Sequence, residues 1–247
     1  MDTAITARPE ELYASVIAEL LAGSRNVAVG MLSPVPGAGT LLAAHLSGGQ
    51  TRVTILGSRA HSRFTNGGAE LFDRAGRGAI DAFFLSGGQI DGHGNINLVG
   101  TGEYPQTEVR WSGSFGSAYL YFLVPRVVLF RWEHSRRTLV PQVDFISAPG
   151  TSPHGVHRPG GPVALITNLC LFDFDRARGR FSLRSVHPGH TLEEVRDQTG
   201  FDFDCPLTVP TTAPPDAAHL ELLRGPVARQ IAAIYPAFAE RVFGLPQ

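Results

Sequence analysis

Three stretches of the sequence gather residue types able to act on a polar ligand. The first runs from Gly87 to Gly100, GGQIDGHGNINLVG, where glycines at 87, 88, 92 and 94 frame Gln89, Asp91, Asn95 and Asn97. Free backbone N–H groups and short polar side chains suit close approach to a ligand. The same residues also read as a glycine-rich hairpin turning at Asp91-Gly92, and the local pattern leaves both readings open. The second stretch is Ser112-Gly113-Ser114-Phe115-Gly116-Ser117-Ala118, whose small residues let backbone N–H groups face a ligand oxygen. The third, Gly57-Ser58-Arg59-Ala60-His61, joins a permanent cation to an imidazole whose ordinary titration lies near pH ~6.5.

Each stretch needs an element to hold it. The apolar run Ala79–Leu85 has the length and flanking glycines of a buried strand, so the glycine-rich segment leaves a strand's carboxyl end, where open α/β sheets gather ligands. Upstream, Pro9, Glu10 and Glu11 start a helix with Leu12, Val16, Ile17, Leu20 and Leu21 on one face, ended by Gly23. A strand at 26–30, a loop at 33–37 and a helix from Ala38 to Leu46 follow. A strand at 52–56 then runs into the Arg59 loop, and a short helix covers 69–75. Three β-α repeats predict an open, mostly parallel α/β sheet with right-handed crossovers.

Further on, 126–132 reads as a strand, 148–162 as a loop rich in Gly and Pro, and 163–166 as a strand. Residues 171–175 and 180–183 form a hairpin-like pair. Thr191-Leu192-Glu193-Glu194 is a capping box opening a helix that Gly200 ends. Asp202–Leu207 is a candidate last strand, and 215–243 is a helical tail broken by Pro226 and Pro236. The organisation is thus an α/β domain over residues 1–210 and a helical tail over 211–247, packing on the domain or on a partner.

Composition narrows the chemistry. A chain of 247 residues with 43% hydrophobic and 17% charged residues and a formal net charge of -1 is globular and offers nucleic acid no basic surface. The sequence contains no lysine, so every fixed cation is an arginine and lysine Schiff-base chemistry is excluded. Cys170 and Cys205 make neither a disulfide framework nor a paired metal motif. The pairs His154/His157 and His187/His190 are separated by Gly or Pro, which denies them the helical spacing of a zinc motif, and no metal is expected. No nucleotide-binding glycine motif opens a helix, and Ser114 and Ser117 lack the nucleophile-elbow context of a serine hydrolase. The N-terminal MDTAITARPEE has no apolar signal core, and no apolar run approaches the ~20 residues of a membrane helix, so a cytoplasmic protein without a membrane partner is expected.

The order of motifs resembles the β subunits of the class I CoA-transferase family from about Leu12 to Leu207. GGQIDGHGNINL stands where that family shows Gly-Ala-x-Gln-Val-Asp followed by Gly-Asn/Asp-x-x-Asn, and SFGSA where it shows Gly-x-Gly-Gly-Ala. RVVLFRWEHSRR resembles its Val-Val-x-x-x-Glu-His segment. VALITNLCLFDFD and HPGHTLEEVRDQTGFDF resemble its closing stretch.

The resemblance implies a three-layer α/β/α fold, a homologous α subunit in a heterodimer or heterotetramer, and an active site at their interface. CoA would enter as part of an acyl-CoA substrate, with no tightly bound cofactor. In the transferases a glutamate in a Ser-Glu-x-Gly loop attacks the thioester. Its position here carries Arg59, which is no nucleophile and reverses the local charge. The chain also resembles β subunits of actinobacterial hydrolases that open the last steroid rings as CoA thioesters, in which the acid/base glutamate lies on the α subunit. The function this implies is hydrolysis of a ring C–C bond in a steroid-derived cyclic CoA thioester. The alternatives are CoA transfer between carboxylic acids and a non-catalytic scaffold for the α subunit. In the hydrolase reading Arg59, His61, Gly116 and Ser117 are the catalytic candidates, and Gln89, Asn95, Asn97 and Ser114 contact the CoA ester.

Overall fold

The computed structural model describes residues 7–245. The first six residues of the N-terminal stretch and the last two of the tail lie outside it. The helices are α1 (Pro9–Leu20), α2 (Pro34–Leu46), α3 (Gly67–Gly76), α4 (Ser117–Leu123), α5 (Leu192–Gln198), α6 (Ala217–Leu222), α7 (Ala228–Ala232) and α8 (Pro236–Phe243). The strands are β1 (Asn26–Val29), β2 (Arg52–Ile55), β3 (Ala82–Leu85), β4 (Gln89–Ile90), β5 (Ile96–Asn97), β6 (Gly100–Thr101), β7 (Val109–Arg110), β8 (Arg126–Phe130), β9 (Pro162–Ile166), β10 (Cys170–Asp175) and β11 (Arg180–Val186). The chain has the mostly parallel α/β architecture expected from its β-α repeats, and it divides into two compact units.

The first unit holds the described residues up to 68, residues 80–82, and the described residues from 213 onward. Its strands β1 and β2 run parallel with Val27 opposite Val53, and Ala82, the first residue of β3, pairs with Val27. The Asp81 carboxylate fixes the entry to β1 by accepting from the backbone N–H groups of Arg25 (2.8 Å) and Asn26 (2.7 Å). Helix α1 begins at Pro9 as its sequence requires, and the Glu11 carboxylate accepts the Arg8 N–H at 2.8 Å. Helix α2 starts at Pro34, four residues earlier than expected. Proline serves well at a first helical position, so the Pro-rich stretch taken for a loop is the helix's first turn. The two helices approach closely because position 39 is glycine: a Cβ there would lie 2.5 Å from the Ile17 side chain.

The tail folds onto α1 and α2. Arg224 Nε donates to the buried Glu11 at 2.6 Å, and Ser15 Oγ shares a hydrogen with His219 Nδ1 at 2.6 Å. Pro226 leaves α6 and α7 joined by a π-helical turn, Leu223–Val227, and Pro236 opens α8. This is where the two prolines were expected to interrupt the tail.

The second unit holds residues 69–79 and 83–212. β8 and β9 are parallel, and β9, β10 and β11 are antiparallel in succession. Phe172 and Phe174 alternate with Asp173 and Asp175 along β10, so one face builds a ring cluster with Phe181, Phe201 and Phe203 while the other meets solvent. Thr191 caps α5 by accepting the Glu194 N–H at 3.1 Å, as the capping box predicts. Residues 202–207 form no strand. Only Asp204 bridges, to Ser182, because the segment is held by single contacts beside β11 rather than by a ladder.

Candidate active site

The turn after β2, in the first unit, is tightly wired. The Ile55 N–H donates to the His61 carbonyl at 3.0 Å, so the chain folds straight back on the strand. Ser58, buried, accepts the His61 N–H on its Oγ at 3.0 Å, and its carbonyl accepts from Ser62 at 3.0 Å. Arg59 stands exposed at the tip, and His61 is half-buried. Burial, with Arg63 nearby as a second cause, holds the His61 imidazole below its ordinary value. This imidazole is therefore neutral at physiological pH and able to take a proton. No carboxylate is present between Gly57 and Arg63.

In the second unit the glycine-rich stretch is a hairpin. β4 and β5 pair with Gln89 opposite Asn97 and Ile90 opposite Ile96. Asp91 closes the turn, its Oδ1 accepting the N–H groups of His93 (3.0 Å) and Asn95 (3.1 Å). Asn95 donates to Asp91 Oδ2 at 3.0 Å and accepts the Gly150 N–H at 3.1 Å. Asn97, with no exposed surface, donates to Gln89 Oε1 and to the Gly100 carbonyl, both at 2.7 Å, and accepts from Val99 at 2.9 Å. Gln89 Oε1 also accepts the Asp144 N–H at 3.0 Å. These amides brace the hairpin, one of the two roles open to the stretch.

The small-residue loop of the same unit turns into α4. Phe115 takes a left-handed conformation (φ 45°) and is 71% exposed, and Gly116 follows at φ 115°. Glycine is required at 116 twice over, since a Cβ there would lie 2.4 Å from the Phe72 ring. The Ser117 N–H donates to the Ser114 carbonyl at 2.8 Å, so of the amides expected to face a ligand oxygen this one is already engaged. The Ser117 hydroxyl, by contrast, is buried with no hydrogen-bond partner. Tyr121 of α4 ties the loop to the hairpin by donating to the Gly94 carbonyl at 2.8 Å.

A cavity of about 650 Å³ opens in this unit beyond the ends of β3 and β8. Gly88, three residues after β3, and Arg131, immediately after β8, share its wall with Leu98, Trp111, Arg137 and Thr138. Arg131 and Arg137 both reach Glu133, at 3.4 and 2.8 Å, leaving one net positive charge, and the buried Arg131 Nε has no partner. An aromatic plane, aliphatic walls and surplus cation suit a ligand with an apolar body and an anionic end. Sequence reasoning named none of Trp111, Arg131 and Arg137 as site residues. The signal was the run RWEHSRR, with three arginines beside a strand's end, which served only as a family motif.

His134 in that run is structural. Thr199 Oγ1 donates to the Val195 carbonyl and so accepts from His134 Nε2 at 2.9 Å, which makes Nδ1 the partner of Thr167 Oγ1 at 2.8 Å. His187 likewise meets Thr212 Oγ1 (2.8 Å) and the Thr167 carbonyl (3.1 Å), and His190 meets Glu194 at 2.9 Å. Among the described residues no group of three or more His, Cys, Asp and Glu side chains is placed to hold a metal. Among them, too, no helix is long and apolar enough to cross a membrane.

Residues 9–198 match the profile of the Coenzyme A transferase family. The B subunit of the 3-oxoadipate CoA-transferase of Pseudomonas knackmussii is 37% identical over 162 residues, 63% of this chain and 62% of the relative. The B subunit of the glutaconate CoA-transferase of Acidaminococcus fermentans is 30% identical over 57% of this chain and 54% of its own. The cholesterol ring-cleaving hydrolase IpdB subunit of Rhodococcus jostii is 28% identical over 57% of this chain and 56% of its own. The chain thus spans 54–62% of the length of the curated relatives it matches. Among solved structures, Rhodococcus jostii RHA1 IpdAB superposes with a TM-score of 0.79 at 23% identity, over 90% of this chain and 94% of that one. The decarboxylase AibA/AibB superposes with a TM-score of 0.77 at 24% identity, over 97% of this chain and all of that one (100%). At these identities the likeness is one of fold.

Proposed function

Because this chain belongs to the Coenzyme A transferase family, we propose that it is the B subunit of a heteromeric enzyme that hydrolyses a C–C bond in a cyclic CoA thioester, the ring being a steroid remnant. One observation carries the reading: the turn after β2 presents the exposed cation Arg59 and no carboxylate. Transfer through a glutamyl-CoA thioester needs a carboxylate nucleophile at this turn, and a guanidinium cannot replace it. The hydrolase IpdB subunit and the decarboxylase AibA/AibB support the reading in that both share the fold without being named transferases.

In such a ring opening water adds to a ring ketone, the adjacent C–C bond breaks, and the electron pair is left as an enolate. The base that activates the water comes from the partner subunit. Arg59 meets the oxyanion or the new carboxylate, and His61, neutral at rest, can take a proton. In the second unit, the amides of Gly116 and Ala118 and the hydroxyl of Ser117 are the proposed oxyanion donors, each such donor being worth about 3 kcal/mol where it faces a transition state. Taken by itself, the cavity of the second unit walled by Trp111 and Arg131 has the apolar and cationic lining that suits the apolar body and an anionic group of an acyl-CoA.

In the co-expressed heteromer, Arg59→Ala lowers ring-opening turnover at least tenfold while the complex elutes unchanged. Intact activity in an intact complex would remove Arg59 from the chemistry and leave this chain a scaffold. CoA transfer is the second reading, favoured by the higher identity to the 3-oxoadipate relative, 37% against 28%. It requires a CoA adduct on a carboxylate of this chain, which mass spectrometry of the complex incubated with acyl-CoA would reveal. Finding that adduct would overturn the hydrolase reading.

A further inference from the structure

A second cavity, of about 380 Å³, lies in the first unit between the end of α2, strand β2 and the chain beyond the Arg59 turn. Four groups that are cations or can become cations line it: His45 from α2, Arg52 from β2, and His61 and Arg63 from the returning chain. Gln230 of α7 faces them, with its Oε1 3.0 Å from His45 Nε2, and no carboxylate contributes to the wall. This charge is written into the sequence, which contains no Asp or Glu between Glu19 and Glu70. Among the described residues neither Arg52 nor Arg63 is ion-paired, whereas Arg74, Arg137, Arg178, Arg180, Arg184 and Arg224 all are.

The one local feature that opposes an anion is the carboxyl end of α2. Its last carbonyls are occupied, Ala43 by Ser47 (3.0 Å), Ala44 by Gly49 (2.8 Å) and His45 by Gly48 (3.0 Å). The helix end amounts to about half a negative charge, less than either guanidinium. Two unpaired guanidinium groups sharing one concave wall repel one another until a counter-charge arrives, and burial with Arg63 nearby holds the His61 imidazole below its ordinary value.

We propose that this cavity binds a phosphate-class oxyanion, with Arg52 and Arg63 as the charged donors and His45 and His61 as hydrogen-bonding partners. The inference shares His61 with the hydrolase reading but uses neither Arg59 nor the second unit, and its test reads phosphate binding rather than turnover. It does reach the Arg59 turn, because the His61 backbone is bonded on one side to Ser58 Oγ and on the other to Ile55. An oxyanion held by the His61 ring would therefore hold that turn in place. The phosphate could be free or could belong to the nucleotide end of a CoA ester.

The test is titration of the full chain with inorganic phosphate at constant ionic strength, read by calorimetry and by the imidazole resonances of His45 and His61. Saturable binding that shifts both rings is expected. The double variant Arg52→Gln/Arg63→Gln should weaken it at least tenfold, and Arg25→Gln, an exposed arginine of the same unit, should leave it unchanged. Both cavity arginines lie at the surface, so the double variant is expected to fold, and the wild-type resonances give a second readout that needs no variant. Non-saturable binding, or binding equally strong in the double variant, would overturn the site. Competition by adenosine 3′,5′-bisphosphate would assign the phosphate to a CoA tail. Phosphate binding indifferent to the bisphosphate would assign it to a free oxyanion.

Discussion

Gly88 lies so close beneath the indole of Trp111 that a Cβ at position 88 would sit 2.2 Å from the ring. Both residues wall the cavity beyond β3 and β8, so the missing side chain sets that cavity's shape. The backbone at 88 is not left-handed, which makes the constraint steric. Gly88→Ala should cost about 1–3 kcal/mol, as overpacking usually does, and should displace Trp111. Urea unfolding measures the first effect, and emission of Trp111 in a Trp132→Phe background measures the second. Unaltered emission would mean that the ring had stayed in place and the backbone at 88 had shifted instead.

The hairpin should prove a stability element. Asn97→Ala leaves the Val99 N–H and the Gly100 carbonyl without their partner and takes one of two donors from Gln89 Oε1, all out of reach of bulk water. At about 1–3 kcal/mol for each buried group left unsatisfied, a loss of roughly 2–4 kcal/mol is expected, read as a lowered denaturation midpoint. A loss under about 1 kcal/mol would show that the hairpin relaxes and re-pairs those groups.

Ser117 offers the opposite case. Its buried hydroxyl is unpartnered in this chain, so Ser117→Ala should leave stability within about 1 kcal/mol or raise it, because removing an unsatisfied group costs little. If the hydroxyl faces substrate oxygen in the heteromer, the same variant lowers turnover about tenfold or more. The two measurements together separate a catalytic hydroxyl from a packing one, since a packing role predicts loss of stability first.

Acid should weaken the second unit in a defined window. Burial holds both His134 and His187 down to about 4, and both side chains sit in hydroxyl and carbonyl networks at 6% and 2% exposure. The unfolded chain takes up protons below pH ~6.5 that the folded chain refuses until about pH 4, so stability is highest above ~6.5 and falls as pH drops toward 4. Each imidazole contributes at most about 3 kcal/mol to that fall. His187→Gln should flatten the dependence measured by urea unfolding between pH 7 and 4.5, and an undiminished slope would place the titration elsewhere.

Much of the scaffold was legible in sequence because its signals are local. Pro9 with Glu10 and Glu11, the capping box at Thr191, the prolines at 226 and 236 and the hairpin-like pair at 171–175 and 180–183 each act within a turn or a strand, and each element appears where those residues put it. The loop expected before α2 misread Pro34 because a proline that breaks a helix interior also starts one. The strand expected at Asp202–Leu207 failed because a ladder depends on a neighbour's open edge, which no local pattern specifies.

The site divides the same way. The order of residues alone determined that the segment Gly57–His61 carries an arginine and no acid, and that no acid stands between Glu19 and Glu70, because identity and charge are properties of residues; only the family resemblance implies that a carboxylate nucleophile would stand at Arg59. Only the tertiary structure decided which polar groups are already engaged. Asn97 and the Ser117 amide are consumed by partners up to eight residues away, while the Ser117 hydroxyl and Arg131 Nε are buried without one. Hydrogen-bond satisfaction is a matter of three-dimensional neighbours, and the wall that joins Gly88, Trp111 and Arg131 exists only after folding brings the ends of β3 and β8 together.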